Sequence, residues 1–382
     1  MPQTEVYTND TVAVMSGCDL CFTDANYRFL RQDAVLAMAN RMSAAQRKRP
    51  RVHVVHSTPA CYVEASKQLS LHGGEDAVAR VNELGEAVAT VQHHDGITGT
   101  STEDVAHDYA NILYQGIKRC ELVIASGLVS MMNPGATPSI EVAHQLGFCH
   151  LLNQSDCPLT EREHEFTVLV YNPASVPLSS HVRLPIGGTD EPIISVVGPD
   201  GEKTESQVVQ LVPHRHAIPE VLGNATSSLV FQVTVEPLGA SLYHVKREPS
   251  AAQVPKDFLE VDEPANFIEN ERFRIVVNPE TGLVSSVVLL RRGLNVQLRQ
   301  TFGAYLFAAK APGNMSPPGH YVFSAYREAE DMGDQVTYRI VKGPVVQEIH
   351  QIFNGFVSQV IAVHKDSPHI EFTWTVGPLT KL

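Results

Sequence analysis

The chain changes period at Glu163. Upstream, apolar residues recur every three or four positions; downstream, they alternate with polar ones. Positions three or four apart share a helix face and positions two apart share a strand face, so the switch predicts helices followed by sheets. Val78, Val81, Leu84 or Gly85, Val88 and Val91 form a helical stripe. A second helix starts at Thr100–Ser101, with Asp104 three residues after Ser101 as in a capping box. It is expected to turn Val105, Tyr109, Ile112, Leu113, Ile117, Val123, Ile124 and Leu128 inward, and the "NPGATPS" at Asn133–Ser139 ends it.

Downstream, Phe166, Val168 and Val170 alternate with Thr167, Leu169 and Tyr171. "FRIVVNPETGLVSSVVLL" reads as a hairpin turning at Asn278–Gly282. Near the end, Ile370, Phe372, Trp374 and Val376 alternate with Glu371, Thr373 and Thr375. The first 70 residues differ from both regions. "VAVM" (Val12–Met15) reads as a strand, a helix follows from the capping Asp24 through Phe29, Val35, Leu36 and Ala39, and "RVHVVHSTP" is a second strand ending near Pro59. Alternating strands and helices predict a parallel α/β sheet, although two strands do not make one that is stable alone.

The predicted fold class is therefore α+β and multidomain. Residues 1–74 read as the C-terminal remnant of a parallel α/β domain, 75–160 as a partial helical bundle, 161–250 as an antiparallel β domain, and 251–382 as the start of a further β-sandwich. The Pro-containing stretch 247–265 is the expected linker.

Composition narrows the partners. A net charge of -13 leaves no basic patch to neutralise phosphates, which excludes nucleic acid as a partner. No apolar run is long enough to span a bilayer, and the polar "MPQTEVYTND" has no signal-peptide apolar core. Four sequons, at Asn9, Asn153, Asn224 and Asn314, point instead to a secretory history. Cys149 and Cys157 flank a short loop that holds one of them and suit a local disulfide. A lumenal location implies that this sequence has lost its targeting segment.

The candidate chemistry lies in "VQHHDGITGT". His94 falls three residues after Val91 and is expected to continue the buried stripe, with His93 about 100° away. One reading is a buried histidine bonded to a backbone carbonyl. The other is a zinc ligand, with Asp95 beside it as support or substrate contact. A catalytic zinc needs three protein ligands and an open position. The missing ligands should come from a His-x-Asp or His-x-His pair on one strand face. His214 and His216 have that spacing but sit in a polar stretch after Pro213 that reads as a surface loop. His53 and His56, three apart on a strand, face opposite sides. Cys18-x-x-Cys21 has the spacing of a redox pair, but the helix cap at Thr23–Asp24 comes after both cysteines, leaving them in the loop. Asp19 follows the C-terminal end of a strand, where α/β folds place catalytic groups; the plainer reading is a solvated loop carboxylate.

Taken in order, several segments resemble glycoside hydrolase family 38 α-mannosidases, most closely the lysosomal type. "VQHHDGITGT" is similar to the family's Gln-His-His-Asp signature, "GCDLCFTDANYRF" to its Gly-x-Asp-Phe-x-Tyr segment, and "VHVVHSTPACY" to its Ser-Thr-Pro strand end. "FCHLLNQSDCP" resembles its glycosylated cysteine loop, and "IENERFRIVVNPETGLV" with "VVQEIHQIF" and "EFTWTVGP" resembles its C-terminal β-sandwich, a mutarotase-like supersandwich. The resemblance implies hydrolysis of terminal α-linked mannose from N-glycan-type oligosaccharides, with retention, by two carboxylates assisted by zinc. It makes Asp19 the general acid/base, His94 a zinc ligand and Asp95 a sugar-contacting carboxylate. It also implies a lysosomal or other secretory compartment.

The chain departs from that pattern. The family's His-x-Asp-x-Gly-Trp motif, which supplies two zinc ligands, and its nucleophile, itself a ligand, are expected before Met1. An internal deletion follows "STPACYVEASKQ", the family partners of Cys61 and Cys120 are missing, and so is the large β region beyond "VGP". The sequence therefore reads as a middle piece of an α-mannosidase, inactive alone and dependent on an N-terminal catalytic fragment. The alternative is a non-catalytic carbohydrate-binding or interaction fragment.

Overall fold

A computed structural model describes residues 58–70, 74–132, 146–152, 155–187, 193–212, 223–248, 266–305, 322, 325, 328–355 and 357–377. The expected strands and helix of residues 1–57 lie outside them, as do Cys18, Asp19, Cys21, His53, His56, His214 and His216. The chain divides into two compact units, residues 1–63 and 64–382.

Helices come first. α1 (Thr58–Leu69) and α2 (Gly74–Val91) precede a short α3 (His94–Thr98) and the long α4 (Glu103–Met132). Ala77, Val81, Leu84 and Ala87 of α2 are buried, as are Val123, Ile124, Ala125 and Leu128 of α4. Val78 and Val105, expected to face inward, are exposed. Neighbouring positions compete for one face, and Ala77 occupies the inner position that Val78 was expected to take. α2 and α4 run antiparallel: Cys120 Sγ reaches the Arg80 carbonyl at 3.5 Å, and a Cβ added at Gly116 would meet Leu84 Cδ1 at 2.9 Å. A side chain at Gly116 would push Leu84 aside, so glycine lets the two helices approach this closely. The helices join the sheets through Gln68, whose amide donates to the Pro173 carbonyl at 2.9 Å and accepts from the Tyr171 hydroxyl at 2.7 Å.

The disulfide Cys149–Cys157 is formed, with Cα atoms 5.3 Å apart, and leads into α5 (Pro158–Arg162). The period-two region then builds antiparallel sheets. The first two sheets contain β1 (Glu165–Tyr171), β2 (Leu178–Gly187), β3 (Ile193–Val197), β4 (Ser206–Gln210), β5 (Ala225–Val235) and β6 (Ala240–Glu248). Their orders are β1-β6-β3 and β2-β5-β4. Leu184, Ile186, Leu229, Phe231, Val233, Tyr243 and Val245 fill the space between them, and Phe166, Val168 and Val170 pack against that core. The alternation in β1 thus reports its inward face.

A second sandwich follows. β7 (Phe267–Glu269), β8 (Phe273–Val277), β9 (Val284–Leu289) and β10 (Leu294–Gln297) form one sheet; β11 (Gly303–Ala304) and β12 (Glu330–Asp331) pair separately. β13 (Thr337–Val341), β14 (Val346–Ile352), β15 (Val357–His364) and β16 (Glu371–Val376) form the facing sheet, in sequence order. The β8–β9 hairpin turns at Asn278–Gly282, where Gly282 has φ 72° and its N–H donates to the Asn278 carbonyl at 2.8 Å. Ile268, Ile275, Val277, Ile349, Ile361 and Val363 make the core of this sandwich.

The two sandwiches stack through their central sheets. Alternate residues of β5 and β15 serve opposite faces. Phe231 and Ile361 point into their own sandwiches, while Val230 and Ala362 meet between them with Val209, Val345 and Val346. The predicted linker needs one correction. β6 still runs through residues 247–248, and Arg247 is buried, donating to the carbonyls of Gly187 (3.0 Å) and Thr160. The rest of the predicted linker, 249–265, lies outside the described residues.

Candidate functional site

The turn between α2 and α4 gathers the "HHDGIT" side chains. α2 ends at Val91 because His93 leaves helical geometry, with φ -47° and ψ 137°, and a new helical turn starts at His94. His94 therefore does not continue the buried stripe. Its side chain is 59% exposed and that of His93 43%, which overturns the expectation of a buried histidine.

Asp95 is the hub. Its Oδ1 accepts a hydrogen bond from Thr100 Oγ1 at 2.7 Å, and its Oδ2 lies 3.3 Å from His93 Nε2. His94 Nε2 is 3.9 Å from Oδ1, and the two imidazole centroids are 4.3 Å apart. The backbone closes the same loop, since the Asp95 carbonyl accepts the N–H groups of Thr100 (3.0 Å) and Ser101 (3.2 Å). Thr98 Oγ1 donates to the His94 carbonyl and lies 2.9 Å from Thr100 Oγ1. The Thr100 hydroxyl holds the Asp95 carboxyl below its usual range; burial opposes this, and His94 and His93 assist it.

Two glycines make the turn possible. A Cβ at Gly96 would lie 2.8 Å from the Val91 carbonyl oxygen and 3.2 Å from Tyr109 Cε2. Gly99 caps α3 at φ 75°, the left-handed region that side chains disfavour. Tyr109 thus packs under the turn as well as along α4.

One donor atom from each of His93, His94 and Asp95 lies within 4.8 Å of the others. Two imidazoles and an oriented carboxylate fit a borderline cation such as zinc. His94 and Asp95, the two candidates in this motif, are neighbours in the chain, and the turn adds His93, which helical spacing places on another face. Thr100 was also missed, although it stands five residues after Asp95 in the same short motif. Asp19 lies outside the described residues.

Residues 34–131, which include this turn, match the α-mannosidase middle domain. Residues 268–380 match the glycosyl hydrolases family 38 C-terminal domain, and together the two matches take in more than half of the chain. The chain belongs to glycoside hydrolase family 38. It is 28% identical to the lysosomal α-mannosidase of Homo sapiens over 97% of its own length and 41% of that protein. It is 29% identical to a probable α-mannosidase of Arabidopsis thaliana over 83% of its length and 33% of that protein. The chain thus spans about two fifths or less of these family members. An α-mannosidase structure from Enterococcus faecalis V583 aligns over 81% of this chain and 38% of its own, with 14% identity and a TM-score of 0.45.

Proposed function

We propose that this chain supplies the middle of an α-mannosidase that removes terminal α-linked mannose from N-glycan-type oligosaccharides with retention. The observation that carries the reading is the Asp95 carboxylate, held by Thr100 between two imidazoles in the family's middle-domain segment. In this reading His94 donates one nitrogen to zinc. Zinc, when bound, polarises sugar hydroxyls and favours a distorted ring. Asp95 accepts hydrogen bonds from the mannose hydroxyls, and His93 fixes its carboxylate orientation. Asp19 carries the general acid/base role, protonating the leaving oxygen and then taking a proton from water.

The 382 residues hold a single Trp, Trp374, so the family's His-x-Asp-x-Gly-Trp segment is not among them. We therefore assign the remaining ligands and the nucleophile to an N-terminal catalytic portion that lies outside these 382 residues, and without which they do not support turnover. The reading places the working protein in the lysosome or another secretory compartment. The names of its animal relatives and the Cys149–Cys157 disulfide support this. No described helix is long and apolar enough to cross a membrane.

The test is hydrolysis of a chromogenic α-mannoside with added zinc, by the chain alone and with an N-terminal family 38 portion supplied in trans. Activity only in the second case, lost in His94→Ala, is expected. Mannose binding without turnover in both cases would favour a carbohydrate-binding role. Turnover by the chain alone would sink the ligand assignment.

A further inference from the structure

We propose that Asn224 is an N-glycan acceptor. This rests on the secretory reading above and goes beyond it by naming the site. Asn224-Ala225-Thr226 is a sequon with a permissive middle residue. Asn224 stands one residue before β5, and both Asn224 and Thr226 are exposed, while Ala225 between them is fully buried. The backbone anchors the sequon and leaves the acceptor side chain at the surface.

The anchoring is specific. The Asn224 N–H donates to Glu161 Oε2 at 2.7 Å, and the Gly223 N–H to Asp156 Oδ2 at 3.1 Å. The Thr226 carbonyl accepts from the Leu211 N–H at 2.9 Å. All three ties use backbone atoms of the sequon segment, so derivatising the Asn224 amide breaks none of them. Gly223 allows the close approach, since a Cβ there would lie 2.6 Å from Glu161 Oε1. That same oxygen accepts the Cys157 N–H at 2.9 Å. One carboxylate therefore joins the acceptor segment to the disulfide-closed loop. An oxidised Cys149–Cys157 pair and a glycan report the same compartment through independent chemistry.

The donor is an oligosaccharide carried on a polyprenyl diphosphate. The Asn224 Nδ2–C1 bond forms as the sugar C1–O bond to the diphosphate breaks. The diphosphate leaves with the electron pair, and the amide proton passes to a base of the transferase.

The test routes the full chain into the secretory pathway of a eukaryotic cell. The product is treated with peptide N-glycosidase in heavy-oxygen water and mapped by mass spectrometry. Labelled Asp at position 224 is expected. Asn224→Gln and Thr226→Ala should each remove one gel-mobility step, and Thr226→Ser should keep it; the peptide map decides the matter should one variant fold poorly. An unmodified Asn224 overturns the proposal in every case. If Asn9, Asn153 or Asn314 is modified in the same sample, the secretory reading survives that failure. If none is, and Cys149 and Cys157 are reduced, the secretory reading falls with it.

Discussion

His181 of β2 and His364 of β15 stack ring on ring between the two sandwiches, with centroids 4.6 Å apart and planes 25° from parallel. His364 is buried, and His181 Nε2 has no hydrogen-bond partner among the described residues. Burial pushes the His364 imidazole down to about 4, with His181, Arg183 and His369 acting in the same direction and Glu348 opposing. Glu371 also faces it, at 3.5 Å from Nδ1. Burial lowers His181 as well, against the field of Asp366.

This stack predicts acid sensitivity. A histidine whose folded pKa lies below its unfolded value favours the neutral form in the native state. The unfolded chain then binds more protons, so stability falls as pH drops from about 6.5 through about 4. His364 accounts for on the order of 3 kcal/mol of that loss. Thermal melts from pH 7 to pH 4 should show a declining midpoint, with a shallower decline in His364→Gln. Parallel slopes for the two proteins would rule out this origin.

Glu348 predicts a steep cost for removing one partner of a buried pair. It is 1% exposed, accepts from Arg183 across the sheet interface, and lies 2.6 Å from His350 Nε2. Against the cost of burial, Arg183 and then His350 hold its carboxyl down at about 2. Its contribution is present above about 4.5 and is lost as pH falls through about 2, which adds to acid sensitivity. Glu348→Leu alone should cost about 3–5 kcal/mol in urea unfolding, and Arg183→Leu with Glu348→Leu distinctly less than the sum of the singles. Additive losses would show that the pair is not coupled.

The candidate site predicts a separation of binding from stability. Thr100→Val keeps the side-chain volume but removes the hydroxyl that orients Asp95. Zinc affinity, measured by calorimetric titration in the presence of the N-terminal portion, should fall about 10–100-fold, with the melting midpoint nearly unchanged. Gly96→Ala should weaken zinc binding as well, because its Cβ would press on Val91 and Tyr109. An unaltered affinity in both variants would remove this turn from the site.

The helical hairpin that carries the turn depends on Leu84. Leu84 is fully buried and packs on Gly116 of α4. Leu84→Ala should destabilise by about 2–5 kcal/mol, measured by denaturant unfolding. A loss of less than about 1 kcal/mol would mean that the hairpin is not part of the cooperative unit.

Several elements were legible in the sequence because they are local. The switch of period at Glu163 separates helices from sheets, the alternation in β1 names its buried face, and the Asn278–Gly282 turn follows from its residues. Cys149 and Cys157 are close enough in the chain to meet without help. His94 and Asp95 stand out as candidates from their motif. Their surroundings were not: the α2 stripe, extended by spacing alone, buried His94, whereas the backbone turns at His93 and exposes it. Periodicity reports which face a residue occupies while an element lasts, and carries no information once the element ends.

Tertiary structure decided what meets across the layers. Arg183 finds Glu348 165 residues away, and His181 finds His364, only because the outer faces of β2-β5-β4 and β13-β14-β15-β16 pack together. Alternation marks those residues as facing away from their own sandwich, which in an isolated sandwich means solvent. Burial of the second face by another sheet converts solvated side chains into paired or neutralised ones, and that depends on how whole sheets stack, which no local pattern encodes.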